Sequence, residues 1–430
     1  MWSRRQFLGS VAAGTLAGSM TFDPARSLRA ADQQGVPKKK LAVVTTLWNY
    51  RSHAWHMAER FLTGYPLQGA WHQPPFQVVG AYVDQRPEGD LSQKRADEFG
   101  FRVYPTVAEA LRAGGSKLAV DGILLIGEHG DYPVNEFGQK QYPRYELFQQ
   151  IVKVFAEDGR AVPVFNDKHL SWNFDWAREM VQSSQKLGFP LLAGSSLPVT
   201  WRMPSIEMKT GAKVEEALVV AYGPTDIYDF HALETLQCML ERREQGETGV
   251  AAVEALKGEA VWKLLAQPEW SRGGCDPKLF EACLSRSQTL TQPESFSHRY
   301  PTVAQMRAFT KEPVAYRIEY ADGTRATMLQ LNGLVEDFTF AARLKDSAKP
   351  ISTLFYLPPN PNVVYSAALM SNVERMLTTG KAPYPVERTL LTSGLVQACL
   401  QSLKKGTRLE TPHLKQVHYQ PSAESTFWQS

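Results

Sequence analysis

Short apolar runs recur through the first half of the chain and are separated by amphipathic stretches. The runs have almost no polar positions, which is typical of strands covered on both faces. They lie at residues 41–46, 78–83, 122–126, 162–165 and 191–193. Because the strands alternate with helical patterns, they predict βαβ units with right-handed crossovers, and hence a doubly wound, Rossmann-like parallel sheet.

Apolar residues at helical spacing predict the helices between these strands. Residues 54–61 carry apolar side chains at i, i+3, i+4 and i+7, a stripe that one face of a helix would bury. Similar stripes occupy residues 147–155 and 174–181. Ser171 or Asn173 could cap the start of the last helix, since side-chain oxygens accept hydrogen bonds from the first free backbone N–H groups.

Beyond Pro198 the pattern changes to alternating strands. Residues 314–320 and 325–331 flank the dipeptide Asp322-Gly323, which predicts an antiparallel hairpin around a tight turn. This part is predicted to be an α+β domain with a mainly antiparallel sheet. Its other predicted elements are a helix at 230–240, a connection of small residues at 246–258, a strand at 335–341 and a closing helix at 389–403.

These patterns divide the chain of 430 residues into three parts. Residues 38–196 are the Rossmann-like domain, and residues 197–430 are the α+β domain for substrate binding and oligomerisation. The closing helix at 389–403 is expected to pack back on the first domain.

Residues 1–30 have the layout of a twin-arginine signal peptide. Arg4-Arg5 precedes a run of small and mildly apolar residues at 9–20, and Ala30-Ala31 offers small residues for cleavage. The sequence therefore predicts export, for example to the periplasm. No later stretch reaches the roughly 20 apolar residues of a spanning helix, so no membrane anchor is expected.

Composition excludes some partners. The formal net charge is only +3 and the only basic tract is Lys38-Lys39-Lys40, whereas nucleic-acid binding needs a concentrated basic face. The four cysteines fit no zinc pattern. A disulfide between Cys275 and Cys283 is open in an oxidising compartment, although twin-arginine substrates usually fold before export, and mostly buried thiols are expected.

Three segments carry a family resemblance. They are Val79–Asp84 at the end of a strand, Asn166–Leu170 with its central lysine, and Phe230–Glu234 with its histidine. They resemble, in turn, the second strand, the Glu-Lys-Pro segment and the Gly-x-His-x-x-Asp stretch of the Gfo/Idh/MocA (glucose–fructose oxidoreductase and inositol dehydrogenase) family. The likeness spans nearly the whole mature chain.

The resemblance implies an oxidoreductase that acts on a sugar or polyol with NAD(P), and a homo-oligomer paired through the antiparallel sheet. It implies catalytic roles for Lys168 and His231, with Asp229 beside the histidine, because the family's usual aspartate falls on Ile227 here. The cofactor-binding residues that it implies are Asp84, Thr46 and Asn49.

The turn after the first strand departs from the family. A dinucleotide site needs glycines there so that the backbone can approach the pyrophosphate at the helix N-terminus. Residues 45–56 contain none, and Trp48 and Tyr50 are bulky where the cofactor would pass. Binding of NAD(P) in the family's manner is therefore not expected, and a retained nucleotide would have to bind atypically.

Histidines and carboxylates at the predicted carboxyl edge of the sheet suggest a second chemistry. His53 and His56 are spaced i, i+3 at the start of a helix, so both rings could face one site. With Glu128 and His129 they could hold a divalent metal ion such as zinc. Aromatic residues near the same edge, among them Tyr50 and Trp55, could stack on sugar rings.

Three functions remain open on the sequence. The first is an exported oxidoreductase for a sugar or polyol, with NAD(P) bound atypically. The second is a metal-assisted hydrolase or lyase for carbohydrates that has lost the dinucleotide. The third is a non-catalytic sugar-binding module, which the titratable groups at the edge argue against.

Overall fold

The apolar runs of the first half form one fully parallel sheet in this computed structural model, which describes residues 38–293, 300–358 and 363–429. The strands are β1 Lys39–Leu47, β4 Phe76–Gln85, β5 Arg102–Tyr104, β6 Gly122–Ile126, β7 Val164–Asp167 and β8 Leu191–Gly194. Their order across the sheet is β5-β4-β1-β6-β7-β8, a doubly wound arrangement that confirms the predicted fold class.

Helices cover both faces of this sheet. They are α1 His53–Thr63, α2 Ser92–Phe99, α3 Val107–Leu111, α4 Arg144–Asp158 and α5 Phe174–Leu187. The apolar stripes predicted for α1, α4 and α5 are the faces that these helices bury. Of the two predicted caps for α5, Asn173 is the one used, and its Oδ1 accepts from the backbone N–H groups of Asp175 and Trp176.

Strand order reverses beside β1, which fixes where a ligand would bind. The chain leaves β1 toward β4 and β5 on one side, then returns to β6, β7 and β8 on the other. Ligands of open α/β sheets bind in the crevice beyond the carboxyl ends of the strands at such a reversal. The candidate site is therefore expected above β1, β6 and β7.

The second sheet is mainly antiparallel, as predicted. In order across the sheet, the strands are β16 Leu409–Glu410, β11 Val250–Lys257, β12 Lys311–Tyr320, β13 Arg325–Asn332, β10 Val214–Ala221, β14 Phe338–Leu344, β15 Ile351–Tyr356 and β9 Trp201–Met203. The one parallel pair is that of β10 and β13, and the hairpin of β12 and β13 confirms the predicted Asp-Gly turn.

One sequence prediction in this half was wrong. Residues 246–258 are not a loose connection, because Val250–Lys257 is strand β11. Its alanines allow a helix to pack closely against it, which is why the segment resembles a connection of small residues. The strand expected at 335–341 is confirmed as β14, which begins at Phe338 and ends at Leu344.

Both faces of the second sheet are covered by helices of the same chain. One face packs against α6 Tyr228–Leu240 and α11 Glu387–Lys405. The other is covered by α7 Glu259–Ala266, α8 Pro277–Arg286 and α9 Val303–Phe309. The family resemblance implies that subunits pair through this sheet. In this chain, helices of the same chain already cover both of its faces.

Helix α11 also contacts the first sheet's helices. Ser393 Oγ accepts from the backbone N–H of Leu170, and Gln397 Oε1 accepts from that of Phe174. Two further elements lie beside the first sheet: a small hairpin of β2 Tyr65–Leu67 and β3 Ala70–His72, and helix α10 Ala367–Thr379.

The predicted signal peptide, residues 1–30, lies outside the described residues. Among the described helices, none combines the length and apolarity needed to cross a membrane. All four cysteines are buried and free, including Cys275 and Cys283.

Candidate active site

The structure brings polar side chains together at the carboxyl ends of three adjacent strands. β1 ends beyond Thr46, β6 leads into Glu128, and β7 ends at Asp167, just before Lys168. Because β1 pairs with β6 and β6 pairs with β7, these ends share one edge. His53, at the start of α1, faces the same place.

Lys168, Glu128 and Arg144 form a buried charge cluster. Lys168 Nζ lies 3.6 Å from Glu128 Oε1, and an Arg144 guanidinium N–H donates to Glu128 Oε2. Burial alone would raise the pKa of Glu128, but the two adjacent cations hold it below its ordinary value. Glu128 is therefore an ionised partner for both cations. Lys168 has a left-handed backbone, with φ 61°, which is unusual outside glycine.

His53 and Asp167 form a close pair beside this cluster. His53 Nδ1 lies 2.6 Å from Asp167 Oδ2, and the aspartate side chain is fully buried. A carboxylate in this position orients the ring and leaves the opposite nitrogen, Nε2, for another partner. The ring of His129 packs edge-on against that of His53, with 5.0 Å between centroids. Burial lowers the pKa of His129 to about 4, and His53 adds to that effect.

His231 faces this edge from α6, but Asp229 does not. Burial lowers the pKa of His231 well below its ordinary value, and the charges of Lys168 and His53 lower it further. Asp229, two residues earlier, points to the other side of α6, where the Tyr316 hydroxyl donates to Oδ2 at 2.9 Å. Asp229 thus joins the helix to the second sheet and is separate from His53 and Lys168.

The residues predicted to bind the cofactor are occupied by other contacts. Thr46 Oγ1 donates to the backbone oxygen of Glu128 at 2.7 Å. Asn49 bridges to Asp90 through the backbone. Asp84 is exposed at the end of β4, but its two oxygens accept from the hydroxyls of Tyr82 and Tyr132, at 2.8 and 2.7 Å.

The loop after β6 crosses the place where a pyrophosphate would lie. Asp131 and Gln85 exchange two hydrogen bonds of 2.9 Å, which tie this loop to the end of β4. Since β1 lies between β4 and β6, the loop runs over the carboxyl end of β1 beside the start of α1. Ser52 already caps that helix by accepting from Trp55 N–H. These residues therefore do not fit a dinucleotide bound in the family's manner.

The prediction of a metal site at His53, His56, Glu128 and His129 was wrong. His56 does not join His53: its ring is buried and packs against that of Tyr365, 4.6 Å away. Burial lowers the pKa of His56 to about 3. Glu128 is held by two cations. Within residues 38–293, 300–358 and 363–429, no group of three or more His, Cys, Asp or Glu side chains is placed to hold a metal ion.

Two residues of this region, Arg144 and Asp226, had no role in the sequence interpretation. Arg144 begins helix α4, where the helix dipole disfavours a cation, and that conflict was a usable signal. Asp226 is a buried, left-handed residue whose Oδ2 accepts from Lys140 N–H at 2.7 Å. His169, which the sequence places at this edge just after β7, is buried against Phe230, with ring centroids 4.9 Å apart. Only the fold brings Arg144 and Asp226 close to Glu128.

Unsatisfied polar atoms concentrate at this edge. Buried donors and acceptors nearly always have partners, so a group of them without partners indicates a place for a polar ligand or water. In the described part of the chain, the buried atoms at this edge that lack a hydrogen-bond partner are His129 Nε2, Arg144 Nε and Nη1, Asn166 Oδ1, Asp167 Oδ1, both ring nitrogens of His169, Asp226 Oδ1 and His231 Nδ1.

The fold is one that known dehydrogenases also have. A doubly wound sheet joined to a mainly antiparallel sheet is the two-domain architecture of the Gfo/Idh/MocA dehydrogenases. The sequence matches no protein-family model and no curated protein. The likeness to these dehydrogenases is therefore one of fold.

Two solved structures illustrate the likeness. GenD2 from gentamicin A biosynthesis, in complex with NAD, has a TM-score of 0.54 and 14% identity over 87% of this chain and 97% of that chain. Apo scyllo-inositol dehydrogenase from Lactobacillus casei has a TM-score of 0.51 and 10% identity over 87% of this chain and 98% of that chain. At such identities the likeness establishes the fold, and function has to be argued from the site.

Proposed function

We propose that this chain is an enzyme that acts on a sugar or polyol by proton transfer at the carboxyl edge of its first sheet. The observation that carries the proposal is the contact of 2.6 Å between His53 and the buried Asp167, close to Lys168. A histidine oriented by a carboxylate is a common general base, and the edge is where such sheets bind ligands.

The chemistry follows from the position of each group. Asp167 fixes His53 through Nδ1, so Nε2 would take a proton from a substrate hydroxyl or carbon. Lys168, which faces Glu128 in a buried setting, would stabilise negative charge that develops on a substrate oxygen. Such a set suits a lyase or hydrolase reaction, and none of these steps requires hydride transfer.

The unsatisfied atoms support a substrate with many hydroxyl groups. A sugar or polyol offers donors and acceptors on neighbouring carbons, which would pair with groups such as Arg144, Asn166 and His231. An apolar ligand would leave these atoms without partners at a cost of roughly 1–3 kcal/mol each.

A nicotinamide-dependent oxidoreductase is the second candidate. Its support is the fold shared with GenD2, which was solved with NAD, and the placement of Lys168 and His231 at the edge. Two observations favour the first candidate over this one. The loop at Asp131 crosses the carboxyl end of β1, and tyrosine hydroxyls already occupy the oxygens of Asp84. A nucleotide would have to bind by contacts different from the family's.

The test is turnover without added nucleotide. We expect the purified protein to convert a member of a panel of sugars, polyols and sugar acids in D₂O, followed by ¹H NMR. His53→Gln should lower the rate by about 10²–10⁴-fold, the usual contribution of a general base. His418→Gln is the control, because His418 is exposed and hydrogen-bonds only the Lys415 carbonyl in the second half of the chain.

The alternatives give different outcomes in the same experiment. Turnover that requires NAD(P), with the nucleotide detected by mass spectrometry, would replace the first candidate with the second. Equal rates for His53→Gln and His418→Gln would remove His53 from the chemistry.

We also propose that residues 1–30 direct export by the twin-arginine route. The support is the Arg4-Arg5 pair before a run of small residues. The mature chain would then carry out its reaction outside the cytoplasm.

A further inference from the structure

The turn that stands in place of the glycine-rich loop carries an exposed tyrosine, Tyr50, which packs against the half-buried Trp55. Tyr50 is 60% exposed, and its ring meets that of Trp55 edge to face, with 5.0 Å between centroids. The guanidinium of Arg51 lies 5.4 Å from the centroid of the Tyr50 ring. An exposed ring with a second ring and a planar guanidinium beside it is a surface on which the face of a sugar ring can pack.

The turn is rigidly held in this exposed conformation. Ser52 Oγ accepts from the backbone N–H groups of both Asn49 and Trp55, and Ser52 N–H donates to the Asn49 carbonyl at 3.0 Å. Trp48 anchors the turn from below, fully buried and donating to Glu59. Arg51 has φ 66°, a left-handed conformation that costs a non-glycine residue on the order of 1–3 kcal/mol. Strain of this kind concentrates at functional sites.

The pair borders the candidate active site. Tyr50 and Trp55 flank His53 in the sequence, and the Trp55 ring contacts that of His56 at 4.9 Å. The turn at residues 49–52 therefore leads directly into His53, the first residue of α1.

We propose that Tyr50, Trp55 and Arg51 form a carbohydrate-binding platform, which holds a sugar unit next to the unit that reacts. The proposal rests on the proposed function and narrows its substrate to a glycoside or oligosaccharide. The C–H face of a pyranose ring packs on aromatic rings, and the planar guanidinium of Arg51 donates paired hydrogen bonds to neighbouring hydroxyls or to a sugar carboxylate.

The experiment measures binding separately from turnover. The probes are defined pentasaccharides of glucose, xylose, mannose, N-acetylglucosamine and galacturonic acid, titrated into the full-length mature protein and followed by saturation-transfer NMR. We expect at least one probe to bind, and Tyr50→Ala to weaken that binding roughly tenfold or more. Tyr50→Phe should retain it, because the ring is kept.

Matched variants separate the possible failures. Tyr356→Ala removes another exposed tyrosine, on strand β15, and should bind as the wild type does. His53→Gln should also bind like the wild type while losing turnover. Loss of turnover in His53→Gln with unchanged binding in Tyr50→Ala would overturn the platform and leave the proposed function standing.

Three other outcomes also decide the matter. Binding that depends on Tyr50, without conversion of any bound probe, would support the platform and count against the proposed function. No binding of any pentasaccharide would overturn the platform. Binding of NAD that is lost in Tyr50→Ala would make the rings a nucleotide site and overturn it as well.

Discussion

Asp226 shows how a single buried carboxyl group near the candidate site would respond to pH. Burial raises its pKa to about 7, and the nearby charge of Asp229 adds to that rise, whereas the N–H of Lys140 opposes it. Since the ordinary value is 3.8, the folded protein holds a proton on Asp226 that the unfolded chain releases. Its contribution to stability is therefore complete below about pH 4 and is lost as the pH rises through about 7.

Asp226→Asn should remove this dependence. As the pH rises from 4 to 7, the unfolding free energy of the wild type should fall relative to that of the variant, by up to about 1.4 kcal/mol per pH unit. Urea unfolding at each pH measures it. His129 titrates in the opposite sense, because its pKa is lowered to about 4, but its contribution cancels in the comparison.

Asp131→Asn is the control for this prediction, since Asp131 is an exposed carboxyl group on the loop after β6. Its stability should follow the wild type in parallel across the same pH range. Parallel curves for Asp226→Asn would contradict the assignment of a protonated Asp226.

At the residue scale, the sequence predicted which edge of the sheet carries the polar residues better than it predicted which side chains contact one another. The edge containing Lys168, Glu128 and His53 follows from strand ends alone, because parallel strands end together. That His56 would turn toward Tyr365 could not be predicted, since side-chain partners depend on packing between distant segments. Arg144 was missed for the same reason.

At the scale of elements, Gly394 fixes how closely helix α11 packs. A Cβ atom there would lie 2.3 Å from Leu414 Cδ2 and 2.6 Å from Phe174 Cδ2. Gly394→Val should therefore destabilise the protein by about 1–3 kcal/mol through overpacking, measured by urea unfolding.

Lys404→Val is the matched control on the same helix, at an exposed position. It should cost less than about 0.7 kcal/mol, because only helix propensity changes. Equal losses for the two variants would mean that the packing at Gly394 is not the cause.

Elements with strong periodicity were predicted, and short or small-residue elements were not. The stripe in α1 and the alternation in β12 and β13 appear in the sequence because one face of each is buried. The hairpin of β2 and β3 escaped notice because each strand has only three residues. In β11 the alanines reflect the closeness of α11, which is a property of the assembled fold.

At the scale of the whole molecule, all the cysteines lie in the interior. Burial raises the pKa of Cys238 and of Cys275 to about 12, so neither thiol ionises near neutral pH. We expect no reaction with Ellman's reagent in the native protein and four thiols after denaturation, one for each cysteine. Two fewer thiols would indicate a disulfide formed after export.

The intact mass of the exported protein, measured on the same sample, tests whether residues 1–30 are a cleaved signal peptide. Cleavage near residue 30 is the expected result, and a mass that retains residues 1–30 would contradict the proposal of a signal peptide. The homo-oligomer stays a prediction.

The sequence by itself determined the alternation of strands and helices, the mainly antiparallel second sheet and the polar edge, because each is set by local periodicity and by where strands end. Only the tertiary structure decided that His53 pairs with Asp167 and that the loop at Asp131 crosses β1. Those contacts join segments far apart in the chain, and their geometry comes from packing rather than from any local pattern.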